Sequence, residues 1–309
     1  RRPPRSTLFP YTTLFRSLDG TGIELMPNRT IKVNEYMETN VDDIYAVGDC
    51  VTVWNRYTRQ PQWSPMGSTA NMAGRVCAMN IAGKKVAYPG VLGTAVCHLP
   101  GLNIGKTGFT EETAKAAGFD PASVTVVTDD KAHYYPGSDT FIIKVVADKA
   151  TKKFLGVEAL GAGAVDKVVD VGATALALKG SLDDLDNMDM AYAPPFSTAI
   201  HPFVLAVQVL ENKLDGTMDS ITPEEYATGD YSEYKVIDAS ITPAIEGAPF
   251  VDPTTVEGVM PEFSTDDKLL LVCTKGKRAY LLQNKLRYYG YTNTKVLESG
   301  TTFNGTDLV

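Results

Sequence analysis

The sequence predicts a multidomain chain of mixed α/β and α+β type. Three observations carry this. The apolar stretch Ile44–Val47 ends at a Gly48-Asp49 pair, and a helix start follows at Ser64-Pro65. Residues 123–160 hold three strand-type runs, and the longer helical patterns follow them, which is the α+β order. Beyond residue 217, strand and helix patterns alternate, as in a parallel α/β unit.

Taken in order, the first residues stand apart. Arg1 to Ser17 carries four arginines, no acid and no helical or strand period. Its composition is that of an Arg/Ser-rich leader, and its wording resembles translated adapter DNA. It is read as a non-native or artefactual leader. Residues 18–88 read as one domain, with a short strand Ile31–Val33, a strand 44–47 and a helix from Pro65 to Ile81. Ser64 fits its N-cap, Pro65 its first position and Gly83 its stop. Residues 89–215 follow, with strands at Ser123–Thr128, Thr140–Ala147 and Phe154–Leu160. Helices are predicted at Thr110–Ala117, Ala164–Lys179, where small apolar residues recur at helical spacing, and Phe203–Asn212. Residues 217–309 begin with a helix start at Thr222-Pro223-Glu224-Glu225. Strands Lys235–Asp238 and Lys268–Val272, a helix from Ala279 to about Arg287 and a strand Lys295–Leu297 complete them.

With 309 residues, 44% of them hydrophobic, the chain has material for two or three cores. Its net charge of -8 argues against a nucleic-acid binder, and no apolar run approaches membrane-span length. The four cysteines and three histidines show no metal-ligand spacing, so no metal site is expected. Unpaired cysteines suit a reducing cytoplasm.

Two clusters carry chemistry. Gly48 lets a ligand approach the backbone, and Asp49 can accept hydrogen bonds from hydroxyls. The helix start Gly67, Ser68, Thr69, Ala70 and Asn71 offers free N–H groups and a partial positive charge. Together they suit a polyol joined to an electron-rich ring. Farther on, Cys273 leaves an apolar strand and enters a loop with Gly276 and three cations, Lys275, Lys277 and Arg278. Backbone N–H groups in such a loop form an anion cradle, and the cations favour thiolate. This suits a nucleophilic cysteine or a bound persulfide.

The segment Asn40–Ala82 resembles the second flavin-binding motif of the FAD-dependent pyridine nucleotide–disulfide oxidoreductases. The resemblance implies a partial FAD-binding Rossmann-like domain at 18–88, with Asp49 on the ribityl chain, Gly48 giving close approach and the Met66–Asn71 region facing the flavin pyrimidine. Residues 89–215 resemble that family's dimerisation domain, implying a homodimer. The loops His133–Gly137 and Asp189–Phe196 resemble coenzyme A-disulfide reductases and related NADH oxidases, whose two tyrosines reach the partner's active site. The matching residues are Tyr192 and either Tyr134 or Tyr135. His201-Pro202 resembles the His-Pro of glutathione-reductase-like enzymes. No acid stands in Phe203–Gln208 to orient it, so His201 is read as structural.

Cys273-x-x-Gly276-x-Arg278 resembles the active loop of rhodanese-like sulfurtransferases. That implies a rhodanese-like α/β domain at 217–309, with Cys273 as sulfane-sulfur carrier and the loop to Arg278 as anion cradle. Upstream the pattern departs: Asp238 is followed by Ala239-Ser240, and Glu246-Gly247-Ala248-Pro249 stands where a His-containing segment is usual. The resemblance as a whole implies the C-terminal part of an enzyme passing hydride from NAD(P)H through FAD to a small disulfide, persulfide or polysulfide. The expectation for this chain by itself is weak flavin binding and no reductase turnover. Two alternatives stand beside it: a stand-alone sulfurtransferase using Cys273, and a non-catalytic dimerisation module.

Overall fold

The computed structural model describes residues 18–309; the leader lies outside the described residues. The chain divides into two compact units, with the boundary between Gly93 and Thr94.

The first unit holds β1 (Ile31–Lys32), β2 (Val51–Trp54) and β3 (Pro61–Gln62) in one small sheet, followed by α1 (Gly67–Ile81). β1 and β2 run parallel and β3 is antiparallel to β2. Met37, Val51, Val53, Ala73, Cys77 and Tyr88 form its core. Two expectations change here. Ile44–Val47 is not a strand; Tyr45 makes a single antiparallel bridge to Glu38. The local backbone bonds close turns instead: Ile44 N–H donates to Val41 O and Ala46 N–H to Met37 O. The strand comes after Gly48-Asp49, as β2, because Gly48 at φ +89° turns the chain and Val51 N–H closes the turn on Gly48 O. The helix cap moves as well. Met66, with no side-chain cap bond, precedes α1, while Ser64 shares a 2.9 Å hydrogen bond with Thr69.

The second unit contains two sheets. The first is antiparallel: β4 (Ala95–Leu99), β5 (Leu102–Gly108), β6 (Pro121–Asp129), β7 (Thr140–Asp148) and β8 (Phe154–Gly161), in the order β4-β5-β8-β7-β6. β4 and β5 carry no run of β-formers. They turn on Pro100-Gly101, and Gly105 leaves room for α3 (Val165–Leu178): a Cβ there would lie 2.7 Å from Val169. α3 packs on β5 and β8, while α5 (Pro202–Leu214) packs on β6 and β7. Phe203 of α5 meets Phe154 of β8 edge-on at 5.5 Å. Burying such a side chain contributes about 1.5–3 kcal/mol. The short helices α2 (Glu111–Ala116) and α4 (Leu182–Leu185) both begin in capping boxes.

The second sheet is parallel: β9 (Ser220–Ile221), β10 (Lys235–Asp238), β11 (Leu269–Val272) and β12 (Thr294–Leu297), in the order β10-β11-β12-β9. α6 (Pro223–Thr228) starts on a Thr222/Glu225 capping box, the start read from the sequence. β11 lies centrally and all four of its residues are buried. α7 (Lys277–Tyr288) packs Ala279, Leu282 and Leu286 onto this sheet, and α8 (Gly300–Asn304) follows β12.

Candidate functional site

Cys273 stands at the carboxyl end of the central parallel strand, where open α/β sheets form their binding crevice. The apolar run that makes β11 stops there, and Gly276 turns the chain into α7 with φ +91°. The Gly276 N–H points back and donates to the Cys273 sulfur at 3.2 Å. The first-turn N–H groups of α7 open toward the same loop. Cys273 is 3% exposed. From behind, α8 holds the loop carbonyls: Thr301 N–H donates to Cys273 O and Thr302 N–H to Thr274 O, each at 3.0 Å.

The three loop cations have separate fates. Lys275 reaches Asp129 at the end of β6, with its Nζ 2.7 Å from Oδ1. Arg278 donates from Nε to Ala239 O at 2.8 Å and pairs with Asp252 at 2.9 Å. Its guanidinium thus ties the end of β10 to the loop. Lys277 has no ion-pair partner among the described residues. Asp238, the surviving acid of the upstream motif, is fully buried. Burial pushes its carboxyl up, but N–H donation from Ala244, Ser240 and Ile245 outweighs this and holds it below its ordinary value. It organises the segment running beside the cysteine loop.

A cavity of about 610 Å³ opens between the two sheets of the second unit. Thr125, Asp129 and Leu205 wall one side; Gly276, Lys277 and Tyr280 wall the other. Glu298 closes its floor, accepting from Thr125 N–H, Lys213 Nζ and Ser220 Oγ. Separation along the chain hides such contacts: Asp129 and Lys275 are 146 positions apart.

Tyr134 and Tyr192 come together at the surface, 67% and 48% exposed. A side-chain hydrogen bond with Tyr134 raises the Tyr192 phenol above its ordinary value. His201 is buried as the N-cap of α5, its Nδ1 accepting from Phe203 N–H at 3.2 Å. Burial, then Lys167, pushes it down to about 4. It holds a helix end, the structural role read from the sequence.

In the first unit, Gly48 and the start of α1 adjoin: a Cβ on Gly48 would lie 4.0 Å from Ala70. Asp49 is exposed, and its carbonyl accepts from Trp63 Nε1 at 2.9 Å. Thr69 is buried on Ser64, and Asn71 Nδ2 donates to Gly67 O. All four cysteines are free. Among the described residues no cluster of His, Cys, Asp and Glu is built to hold a metal, and no helix is long and apolar enough to cross a membrane.

Residues 10–82 match the family model "Pyridine nucleotide-disulphide oxidoreductase", and residues 94–203 match that family's dimerisation domain. The chain thus carries pyridine nucleotide–disulphide oxidoreductase domains in both units. Among curated proteins it is 36% identical over 190 residues to the "NAD(P)H sulfur oxidoreductase (CoA-dependent)" of Pyrococcus furiosus, covering 62% of this chain and 43% of that one. It is 31% identical to the coenzyme A disulfide reductase of Staphylococcus haemolyticus, covering 60% and 41%. Among solved structures, an NAD-dependent persulfide reductase from A. fulgidus superposes with TM-score 0.85 at 30% identity, over 93% of this chain and 53% of that one. The reduced Bacillus anthracis CoADR-RHD gives 0.84 at 29%, over 98% and 54%. The chain spans about half the length of the relatives it matches, or somewhat less.

Proposed function

We propose that this chain serves an FAD-dependent NAD(P)H oxidoreductase acting on coenzyme A disulfide, persulfides or polysulfides, with residues 217–309 as a rhodanese-like sulfur carrier. One observation carries this reading. The likeness to the persulfide reductase runs through 93% of the chain, well beyond the segments that match the family models, so it includes most of the cysteine unit.

The residues present suit a flavin. Asp49 is an exposed carboxylate that can accept from ribityl hydroxyls, and the start of α1, from Gly67 to Asn71, lies beside Gly48 with no side-chain cap. Bound there, the flavin would supply two-electron transfer between nicotinamide and sulfur. The chain's own residues hold and orient it. The exposed Tyr134–Tyr192 pair is the surface offered to a second copy's substrate site, in keeping with a homodimer.

In the sulfur half, the Cys273 sulfur accepts one fixed N–H and faces the open first turn of α7. The negative charge of a persulfide on Cys273 would be met by those donors. Thiosulfate or an organic persulfide should add 32 Da to the Cys273 peptide in intact protein, as about one sulfur atom per chain. Cys273→Ser should abolish the addition and Cys97→Ser should leave it. Unlabelled Cys273 with every donor would remove the sulfur-carrier role.

A further inference from the structure

The charges around the cysteine loop are arranged more narrowly than its sequence suggests. Three cations follow Cys273 within five residues, as if to hold a doubly charged anion. Two of them carry their own carboxylate. Asp129 takes Lys275 at 2.7 Å from across the cavity, and Asp252 takes Arg278 at 2.9 Å from the other flank. The remaining acid on the cavity wall, Glu298, is matched by Lys213 at 2.8 Å. Lys277 is then the one cation among the described lining residues without a compensating acid. Around it the wall is largely apolar, with Leu205, Val209, Tyr280 and Leu281.

We infer that Asp129 and Asp252 are specificity-determining residues: by neutralising Lys275 and Arg278 they set the cysteine loop to receive a singly charged or neutral sulfur donor with an apolar body, an organic persulfide, in preference to dianionic thiosulfate. This rests on the sulfur-carrier reading of Cys273. The step is a displacement at sulfur. The Cys273 thiolate attacks the outer sulfur of R–S–SH and a Cys–S–S bond forms. The R–S–S bond breaks, and the thiol RSH leaves with the persulfide's proton. No net oxidation or reduction takes place. A dianion at the loop would need two charges met, and Lys277 is the one loop cation left without an acid.

Charged alkylating agents read the loop charge without requiring sulfur transfer. Iodoacetate is an anion and iodoacetamide its neutral analogue, so their rate ratio at the Cys273 peptide reports the local potential. Asp129→Asn leaves Lys275 uncompensated and should raise the ratio about three- to tenfold at low ionic strength. Asp252→Asn should act in the same direction through Arg278. Lys275→Gln leaves Asp129 uncompensated and should lower the ratio. The double variant Asp129→Asn/Lys275→Gln removes both charges and should return it to the starting value. All of these differences should shrink at about 1 M salt. With thiosulfate as donor, Asp129→Asn should lower KM more than it changes kcat. Ratios that stay flat, or that fall in every variant alike, would show that these acids hold the loop's shape and do not set its charge. Failure of wild-type Cys273 to accept sulfur from any donor is a separate result, which removes the carrier role while the alkylation ratios still judge the charge arrangement.

Discussion

At the residue scale, two buried ionisable groups respond to acid through opposite protonation states. His201 caps α5 as a neutral ring, pushed down to about 4 by burial and then by Lys167. An unfolded histidine titrates near about 6.5. Between those values the unfolded chain binds more protons than the folded one, so stability falls as the pH drops from about 6.5 toward 4. Asp238 has its folded value held below that of a free carboxylate, so its contribution is present above about 3.9 and is lost only as the pH falls through the folded value. The two windows therefore separate. Replacing His201 with Asn, which can also cap a helix, should flatten the urea-midpoint profile between pH 6.5 and 4 and leave the steeper fall below pH 4. An unchanged slope in the upper window would mean that His201 is not the group titrating there.

At the scale of elements, the helix α8 explains why the cysteine loop keeps its shape. Gly300 has φ +52°, and a Cβ there would lie 1.7 Å from Cys273 O. Gly300→Ala must displace either α8 or the loop. A loss of about 2–4 kcal/mol is expected from the strained backbone and the clash together. The loss should appear in urea denaturation, along with slower sulfur loading of Cys273. Wild-type stability in this variant would show that the loop moves aside freely. Elements of this kind differ in how far the sequence discloses them. β6, β7, β8, α3, β10, β11 and α7 were legible because each repeats its own period or forms an unbroken apolar run. The hairpin β4–β5 was not, since its glycines are chosen for the approach of α3 and leave little β-forming signal. The run Ile44–Val47 carried the strand signal without the structure. Its backbone partners lie in the turns around Val41 and Met37, a choice made by tertiary context over local propensity.

At the scale of the second unit, the legible and the hidden parts of the site divide along the same line. Cys273, Gly276 and the loop cations could be read as a contiguous motif. The acids that answer those cations, Asp129 and Asp252, come from distant segments, and only folding brings them there. A single buried carboxylate joins the strand that carries Asp129 to the sheet that carries Lys275. β6 is the edge strand of the antiparallel sheet, and its Thr125 presents both backbone groups outward. Glu298 accepts from Thr125 N–H at 2.8 Å, and Ser299 Oγ donates to Thr125 O at 2.9 Å, so the end of β12 finishes the edge. Lys213 of α5 and Ser220 of β9 complete the carboxylate's shell at 2.8 and 2.7 Å. Removing the acid strands an ammonium and an edge N–H in a site where water has little access. Glu298→Ala should therefore cost about 3–5 kcal/mol, well above what an exposed pair such as Lys235–Asp267 contributes. The damage should also be local to the junction. The antiparallel and parallel halves should lose their shared transition, seen as a lower m value and as early hydrogen exchange at Thr125 and along β12. Loss of stability with m and exchange unchanged would show that the two sheets are held together elsewhere, and that Glu298 only fills the space between them.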